Sequence, residues 1–425
     1  MKLWTGKDFL AQVPPKRLAD VGRHEAAVRT IVEDVQRRGD AALLEYTARF
    51  DRAVLSPAEL LISEVETAAA YEAVGLETLA ALTQAKENIA AFHRRQLRSD
   101  WFSASPDGSL LGQMYRPIDR VGIYIPGGTA KLCSSVLMTA VPARVAGVPE
   151  IIICTPPDAT GAIDPHVLVA ADMAGATCVC KAGGAQAVAA LAFGTETIPA
   201  VDKIVGPGNI YVTTAKKIVY GQVDIDMLAG PSEVVVLADG KADPRYVAAD
   251  LLAQAEHDAL ATAILLTPDR ELADRVGREI ERQITALPRQ GIAARSLADN
   301  GATVLVRDME EAVVIINRFA PEHLEVLTEN PLALLGRIRH AGSVFLGPYS
   351  PEAAGDYTVG PSHVLPTGGT ARFYSALGVD SFRKASNLIA LSCSGFAAVQ
   401  DSTGRLAAIE GLVGHASAVK VRGER

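Results

Sequence analysis

From Val121 onward, the chain alternates short runs of β-branched residues with longer amphipathic stretches, and this alternation restricts the fold more than any other feature. VGIYI is followed by LCSSVLMTAVPARVAG, EIIIC by PHVLVAADMAG, CVCKA by AQAVAALAF, and DKIV by NIYVTTAKKIVYG. Short strands that alternate with helices are typical of parallel β-α units, whose helices cover both faces of the sheet. The chain is therefore predicted to be an α/β protein with parallel sheets.

The alternation resumes after residue 260 and predicts a second sheet. TAILLT, ATVLV, LEVL and GSVFLG are predicted strands, and helices are predicted over residues 269–286 and 309–319. Apolar residues at helical spacing predict that residues 20–100 are mainly helical, and the tail from about residue 380 is predicted to be helical with a terminal strand, ASAVKVR. The expected fold is two Rossmann-like α/β/α domains with small helical N-terminal and C-terminal appendages.

A chain of 425 residues is too long for one ordinary hydrophobic core, so two principal domains are expected. The expected division is an N-terminal helical extension over residues 1–19, a first α/β domain over 20–120 and 234–375, a second α/β domain over 121–233, and a tail over 376–425. The second domain would then interrupt the first.

Composition excludes two classes of partner. The net charge of −8 argues against a nucleic-acid partner, which requires a basic surface. The first residues lack the apolar segment of a signal peptide, and no apolar stretch approaches the roughly 20 residues that cross a bilayer. The five cysteines are sparse and odd in number, which favours reduced thiols. We expect a cytoplasmic protein without membrane partners.

The segment FAPEHLEVL places Glu322 and His323 side by side at the start of a predicted strand. A neutral imidazole, with an ordinary pKa of about 6.5, suits proton removal at neutral pH, and a carboxylate can act as a second base. A rigid strand end would fix both groups, as acid–base catalysis requires. Taken alone, the pair is also compatible with a carboxylate at a helix start beside a surface histidine.

Gln254 and His257 lie three residues apart in a helix that is predicted to start with Asp243 as its N-cap and Pro244 at its first position. Residues at this spacing project from one face of a helix. Taken alone, the pair is compatible with a solvated face as well as with metal binding.

Further candidate ligands follow in the last quarter of the chain. Asp356 and His363 lie in a segment rich in glycine and proline, which is predicted to be irregular, and His415 lies near the C-terminus. Long irregular segments inside compact domains are usually functional. Nitrogen and oxygen donors of this type suit zinc or a similar divalent metal, although glutamine is an unusual ligand.

Three glycine-rich turns, YIPGGTA, KAGGAQA and VGPGNIY, each follow a predicted strand and open a helix. Such turns are where open α/β sheets bind phosphate-containing ligands. None of them has the GxGxxG pattern with an acid about 20 residues further on, so glycines that only permit tight turns remain an alternative. A fourth turn, DMLAGPSE, is expected to expose Ser232 and Glu233 before a strand.

Together these segments resemble histidinol dehydrogenases. The resemblance is carried by GIYIPGGTAKLCSSVLMTAVPARVAGV, GGAQAVAALAFGTETIPAVDKIVGPGNIYVTTAK, DMLAGPSEVVVLAD, DLLAQAEHD, APEHLEV, AGSVFLGPYSPEAAGDY, HVLPTGGTARF and EGLVGHA. It is dense over residues 115–383, resumes at residue 410, and is weak in the first hundred residues. The family implies a zinc-dependent, four-electron oxidation of L-histidinol to L-histidine, by way of L-histidinaldehyde, with two NAD.

The resemblance also implies a role for each matching residue. Glu322 and His323 would be the acid–base pair, with Glu322 activating water in the second oxidation. The metal ligands would be Gln254, His257, Asp356 and His415. The substrate contacts would be Ser232, Gln254, His257, His323, Asp356, His363, Glu410 and His415. The NAD contacts would be Tyr124, Gln186 and Asn209, which lie in the three glycine turns and so assign NAD to residues 121–233.

The family further implies a homodimer in which the tail reaches the partner subunit, so that Glu410 and His415 complete the partner's active site. Three residues depart from the pattern of many relatives, namely Leu228, Ser362 and Gly414. Because relatives that act on other alcohols often carry Gly-His at the last position, a dehydrogenase of another amino alcohol or polar diol is the alternative. A zinc hydrolase and a non-catalytic binding protein are two further alternatives from other classes.

Overall fold

The computed structural model describes residues 1–12, 21–127 and 131–424, and the chain divides into two compact units. Met1–Gln96 and Ile118–Phe382 form the first unit, and Leu97–Pro117 with the chain from Arg383 onward forms the second. In the described residues, the strands are β1 Lys2–Thr5, β2 Trp101–Ala104, β3 Leu110–Pro117, β4 Arg120–Tyr124, β5 Glu150–Thr155, β6 Cys178–Lys181, β7 Lys203–Val205, β8 Asp224–Ile225, β9 Glu233–Ala238, β10 Thr262–Thr267, β11 Ala302–Leu305, β12 His323–Leu327, β13 Ser343–Leu346 and β14 Arg383–Ala390.

The α-helices of the same residues are α1 Gly6–Gln12, α2 Glu25–Arg38, α3 Asp40–Phe50, α4 Glu64–Ala73, α5 Leu76–Arg94, α6 Cys133–Ala146, α7 Pro165–Ala174, α8 Gly184–Phe193, α9 Ile210–Val219, α10 Pro244–Ala255, α11 Arg270–Ile284, α12 Gln290–Asp299, α13 Met309–Phe319, α14 Leu332–Leu335, α15 Glu352–Tyr357, α16 Cys393–Ile409 and α17 Val413–Gly423. The predicted α/β class is confirmed, and β4–β7 and β9–β13 match the runs that the sequence indicates, whereas β1 and β8 were not predicted.

The first parallel sheet has five strands in the order β6-β5-β4-β7-β8. Successive residues of β5 point to opposite faces, so that Ile151 and Ile153 pack in one core while Ile152 and Cys154 pack in the other. The first core also contains residues of α4–α7, and the second contains residues of α2, α3, α8 and α9. The sheet is therefore covered on both faces, which accounts for its continuous apolar strands.

The helices α2–α5 pack with this five-stranded sheet. Val28 and Val32 of α2 lie in its second core, and Leu82 and Ile89 of α5 lie in its first core. This packing differs from the expected grouping of residues 20–120 with residues 234–375. The helical period shows that a helix has an apolar face but does not specify which sheet that face covers.

The second parallel sheet has six strands in the order β1-β11-β10-β9-β12-β13. In β9, Val234 and Val236 pack with α10 and α11, while Val235 and Leu237 pack with α13 on the other face. Its edge strand β1 pairs with β11, whereas residues 1–19 were expected to be a helical extension. Of that extension, α1 is helical as predicted, and residues 13–19 lie outside the described residues.

The second unit contains an antiparallel sheet in the order β14-β3-β2, followed by α16 and α17. The predicted terminal strand ASAVKVR is wrong, because those residues belong to α17. The alternating valines of that segment imitate a strand, but the contact of α17 with α16 favours the helix. Within residues 1–12, 21–127 and 131–424, no helix combines the length and apolar character that a membrane crossing requires.

Candidate active site

Glu322 and His323 lie at the amino end of β12, inside the six-stranded sheet. His323 is the first residue of the strand, opposite Val234 of β9 and Ser343 of β13. The sharp end of α13 sets this position, since Ala320 adopts a left-handed conformation with φ +52° and Pro321 follows it. Both side chains are almost fully buried, which confirms the predicted strand end and excludes a surface histidine.

Glu322 is fixed by the backbone of the neighbouring strand. Its Oε2 accepts a hydrogen bond of 2.8 Å from the backbone N–H of Glu233. Burial raises the pKa of Glu322 to about 7, although the charge of His323 opposes the shift. A carboxyl group that titrates near neutrality can exchange a proton with water or substrate at physiological pH.

The prediction that Glu233 is exposed is wrong. Glu233 is the first residue of β9 and is 4% exposed, while Ser232 before it is half-buried. The Oε2 of Glu233 accepts a hydrogen bond from the backbone N–H of Gly368 at 3.3 Å. A turn motif in sequence shows where a strand starts, but it does not show that residues 366–369 fold over that start.

His323 is oriented by a backbone carbonyl. Its Nδ1 lies 3.1 Å from the carbonyl oxygen of Glu233, so Nδ1 carries a proton and donates it to that acceptor. Nε2 is buried and has no hydrogen-bond partner, and it lies 3.7 Å from Oδ1 of Asp356. In the neutral ring, Nε2 would therefore be the nitrogen available as a base.

Three carboxyl groups surround the His323 ring. Nδ1 lies 3.8 Å from Oε2 of Glu322 and 3.7 Å from Oε1 of Glu352, and Asp356 faces Nε2. Burial by itself would lower the pKa of His323, but Glu352, Glu322 and Asp356 outweigh it and raise the pKa to about 10. This differs from the ordinary value of about 6.5 assumed from the sequence, so a base at this position needs a further positive charge nearby.

Glu352 is a site residue that the sequence reasoning did not identify. It lies in the first turn of α15, is 2% exposed, and its pKa is raised to about 8, chiefly by burial. Its backbone N–H donates to Oε1 of Glu325 at 2.7 Å, which ties α15 to β12. The available signal was the four-residue spacing between Glu352 and Asp356, which places both on one face of a helix.

His363 holds Asp356 in place through the backbone. Its Nδ1 donates to the carbonyl oxygen of Asp356 at 2.9 Å, and its Nε2 lies 3.1 Å from Oγ of Ser135 in α6. Burial lowers the pKa of His363, so a neutral ring that donates at Nδ1 and accepts at Nε2 fits both partners. The segment that contains Asp356 and His363, which was predicted to be irregular, is therefore ordered and includes α15. Ser362 binds α6 as well, donating to the carbonyl of Met138 at 2.9 Å.

Gln254 and His257 lie at the end of α10. Gln254 is fully buried, and neither its Oε1 nor its Nε2 has a hydrogen-bond partner. His257 follows the last turn, with its N–H donating to the carbonyl of Gln254 at 3.3 Å. His257 is exposed in this chain, yet the surrounding protein displaces enough water to lower its pKa, and Asp356 offsets part of that effect.

The donors on α10 and α15 fit a metal ion in part. Among the described residues, no three His, Cys, Asp or Glu side chains form a group that could hold a metal. A buried amide without partners in the protein is costly, and a ligand beside it would remove that cost. His257 is held neutral, and the neighbouring histidines lower the pKa of Asp356 against the opposing effect of burial. A neutral imidazole, an amide oxygen and a carboxylate are suitable ligands for zinc.

His323, Asp356 and His363 line a cavity of about 360 Å³, together with other residues. Ser232 borders the same strand end, where its carbonyl accepts from Thr262 at 3.0 Å. Glu410 and His415 belong to the second unit, where both are exposed, and their predicted contact with an active site stays a prediction.

The predicted cofactor residues lie at the carboxyl ends of the five-stranded sheet. Tyr124, Gln186 and Asn209 line one cleft of about 1400 Å³. The hydroxyl of Tyr124 accepts from the N–H of Gly184 at 3.1 Å, and Oδ1 of Asn209 caps α9 by accepting from Tyr211 at 3.0 Å. Gln186 is 1% exposed and its Nε2 has no partner, so this donor is available to a ligand in the cleft.

Comparison with known proteins gives a consistent result along the chain. The sequence matches the histidinol dehydrogenase family over residues 15–423. It is similar to the histidinol dehydrogenase of Moorella thermoacetica, with 58% identity over 94% of each chain, and to that of Halalkalibacterium halodurans, with 51% identity over 99% of each. The crystal structure of histidinol dehydrogenase from Elizabethkingia anophelis superposes with a TM-score of 0.94 at 41% identity, covering 100% of this chain and 98% of that one.

Proposed function

Because the chain belongs to the histidinol dehydrogenase family, we propose that it oxidises L-histidinol to L-histidine through L-histidinaldehyde. The observation that carries the proposal is the burial of Glu322 and His323 at one strand end, with Asp356 of α15 facing the His323 ring. The unpartnered amide of Gln254 lies on α10, which contacts α15. The alcohol oxidation needs a base for the hydroxyl proton, and the aldehyde oxidation needs a base for the water that adds and for the hydroxyl of the hydrate. Two titratable groups at this strand end can share these tasks.

His323 is the base for the substrate hydroxyl. Its Nδ1–H stays on the carbonyl of Glu233, which leaves Nε2 facing Asp356, and both residues line the cavity. Glu322 is the base for the water that adds to the aldehyde, because its carboxyl group titrates near pH 7 and its position is fixed by the N–H of Glu233. A misplacement of about 1 Å in such a group can lower the rate on the order of a hundredfold, and the backbone contacts prevent it.

We assign zinc to Gln254, His257, Asp356 and His415 of the partner subunit. When bound, zinc would neutralise the charge of Asp356 and hold the imidazole and amino nitrogens of the substrate. The surroundings of His323 agree with this assignment, since three carboxyl groups hold its ring protonated unless a cation reduces their field. Ser232, His363 and Glu410 would contribute to substrate binding. Since both nitrogens of His363 already have partners, its contribution would be through the position of Asp356.

We assign NAD to the cleft at the carboxyl ends of β4–β7, with Tyr124, Gln186 and Asn209 as contacts. When bound, NAD would accept one hydride in each oxidation. The cleft is larger than the roughly 300–1000 Å³ of most small-molecule pockets, as an extended dinucleotide requires. We also propose a cytoplasmic location, which agrees with five cysteines that are all unpaired.

The decisive assay adds limiting histidinol and excess NAD to the purified protein and measures NADH by absorbance. Two NADH per histidinol, with histidine as the product, are expected. One NADH per turnover with release of the aldehyde would contradict the four-electron reaction. No NADH with histidinol, but oxidation of another amino alcohol, would assign a different substrate within the family.

The shared site of the proposed homodimer is tested by mixing two inactive variants. His323→Ala and His415→Ala chains are unfolded together, refolded with zinc and assayed. If sites are shared, one site of each heterodimer carries both lesions and the other carries neither. Random mixing then restores about a quarter of all sites. If each site is built within one chain, the mixture stays inactive, while the zinc and dehydrogenase assignments are unaffected.

A further inference from the structure

Asp51 brings a carboxylate into the nucleotide cleft from outside the sheet. It is the C-cap residue of α3, directly after Phe50, and it lines the cleft together with Tyr124, Gly184 and Gln186. No glycine-rich turn of this chain has the GxGxxG pattern with an acid about 20 residues further on, which is how dinucleotide-binding folds usually place the carboxylate that binds a ribose. In this chain, Asp51 after α3 supplies a carboxylate at the carboxyl ends of the five-stranded sheet.

The hydrogen bonds of Asp51 are incomplete. Its carboxylate accepts from the backbone N–H of Gly183, in the turn between β6 and α8. Its Oδ2 is enclosed and has no hydrogen-bond partner. Because Asp51 lines the cleft, its carboxylate lies next to the space that a ligand would occupy. An ionised carboxylate with an unused oxygen favours a hydroxyl donor.

The surroundings of Asp51 hold it in this position. The next residue, Arg52, has a left-handed backbone with φ +63°, a conformation that non-glycine residues adopt at a cost and that is concentrated at ligand sites. Burial raises the pKa of Asp51 to about 6, so the ionised form at pH 7 is poorly solvated and would be stabilised by a donor.

The position of Asp51 across the sheet indicates which half of NAD it meets. Leu43 and Tyr46 of α3 pack in the core that covers the α8 and α9 face. The helix α6 covers the opposite face, and its Ser135 contacts His363 beside the catalytic residues. The nicotinamide must approach the catalytic residues, so the adenosine half is the one that extends towards α3.

We propose that Asp51 accepts a hydrogen bond from the 2′-hydroxyl of the adenosine ribose and thereby selects NAD against NADP. This proposal rests on the assignment of NAD to the cleft. In NADP a phosphate replaces the hydrogen of that hydroxyl, which removes the donor and brings a negative charge against the carboxylate. Arg49 also lines the cleft, but its guanidinium lies over the ring of Phe50. Discrimination between NAD and NADP therefore depends on the carboxylate of Asp51.

The test uses calorimetric binding and KM with NAD, NADP and NAD that lacks the adenosine 2′-hydroxyl. The wild-type protein should bind the deoxy analogue about tenfold more weakly than NAD, and NADP more weakly still. Asp51→Asn should weaken NAD binding about tenfold, shift the NAD-to-NADP preference at least about tenfold towards NADP, and remove most of the penalty for the deoxy analogue.

Asp158→Asn is the matched control. Asp158 lines the same cleft, but its Oδ1 already accepts from the N–H groups of Thr160 and Ala162 at 2.8 and 3.1 Å. The Asp158→Asn substitution removes the same charge as Asp51→Asn, and asparagine forms the same type of turn as aspartate. The control should change the coenzyme preference by less than about twofold, since only the general field of the cleft is altered. An equal shift in both variants would overturn the proposal.

The remaining outcomes separate this proposal from the proposed function. If the wild-type protein forms NADH from histidinol while Asp51→Asn keeps the wild-type coenzyme preference, the assignment of Asp51 fails alone. If Asp51→Asn does not fold, the wild-type protein decides, because equal affinity for NAD and its deoxy analogue would refute the contact. If the wild-type protein uses and binds neither coenzyme, both proposals fail.

Discussion

The two parallel sheets of this chain place polar groups at opposite ends of their strands. In the five-stranded sheet, the cleft lies at the carboxyl ends and is lined by Gly127, Gly184 and the start of α8. In the six-stranded sheet, Glu322, His323 and Glu233 lie at the amino ends of β9 and β12. The first arrangement follows the general rule for α/β proteins, and the second departs from it.

The difference follows from which groups supply the charge. At the cleft, most lining side chains are neutral, such as Tyr124 and Gln186, and Asp51 adds a carboxylate. At the amino ends of β9 and β12, buried carboxyl groups and histidines from β12, α10 and α15 supply the charge, and their mutual proximity shifts their pKa values. Backbone groups can bind a ligand, but proton transfer needs titratable side chains. The following variants should therefore affect one region and leave the other unchanged.

The largest effect is expected for His323→Asn. Loss of the base for the hydroxyl proton should lower kcat for histidinol oxidation by about 10³-fold, within the range of general acid–base catalysis. Calorimetric binding of NAD should stay within about twofold of the wild-type value, because the cleft lies at the other sheet. A large loss of NAD affinity would show that the two regions are not independent.

Glu322→Gln should separate the two oxidations. The alcohol step should fall less than about tenfold, whereas the aldehyde step should fall by 10²-fold or more, since glutamine cannot activate water. The measurement is NADH per histidinol, which should drop from two to one, with the aldehyde trapped by a carbonyl reagent. Loss of histidinol oxidation with intact aldehyde oxidation would reverse the roles of Glu322 and His323.

The same carboxyl group predicts the pH dependence of the second step. Burial raises the pKa of Glu322 to about 7, and a carboxyl group acts as a base only after it loses its proton. The rate of aldehyde oxidation should therefore rise as the pH increases through about 7 and should level off above it. In Glu322→Gln this rise should be absent from the residual activity. A pH profile identical to the wild type would assign the titration to another group.

His257→Ala should lower zinc affinity at least about 100-fold, because even indirect ligand contacts are worth about 10- to 100-fold. Metal content after dialysis, measured by elemental analysis, is the readout, and chelation followed by zinc addition should restore the wild-type protein. His340→Ala is a matched control, since that histidine belongs to neither site. Full histidinol oxidation by a protein shown to be metal-free would refute the zinc assignment.

The smallest effect is expected in the cleft for Gln186→Met, which keeps the volume of a buried side chain but removes its unpartnered amide. KM for NAD should rise about fivefold to tenfold through loss of one hydrogen bond, while kcat with saturating NAD changes little. Zinc content should not change. A fall in kcat of the size expected for His323→Asn would place Gln186 in the chemistry.

The sequence by itself determined the fold class and most strands of the two parallel sheets, and it marked the candidate site residues. TAILLT and the helix over 309–319 coincide with β10 and α13, because continuous apolar runs and a helical period are local properties of the chain. The proline before Glu322 and the glycine turns around Tyr124, Gln186 and Asn209 likewise mark local geometry. Those signals sufficed to select the residues, but not to define their surroundings.

Only the tertiary structure decided which elements meet. It placed β1 at the edge of the six-stranded sheet and α2–α5 on the five-stranded one. The apolar face of a helix does not specify which sheet the helix covers. It buried Glu233 and brought Glu352 within 3.7 Å of His323, which moves the pKa of His323 to about 10. It also carried Asp51 to the cleft at the carboxyl ends of the five-stranded sheet, from a helix that no turn motif indicates. Charge and burial act through space, so residues far apart in the chain set the chemistry of those that the sequence marks.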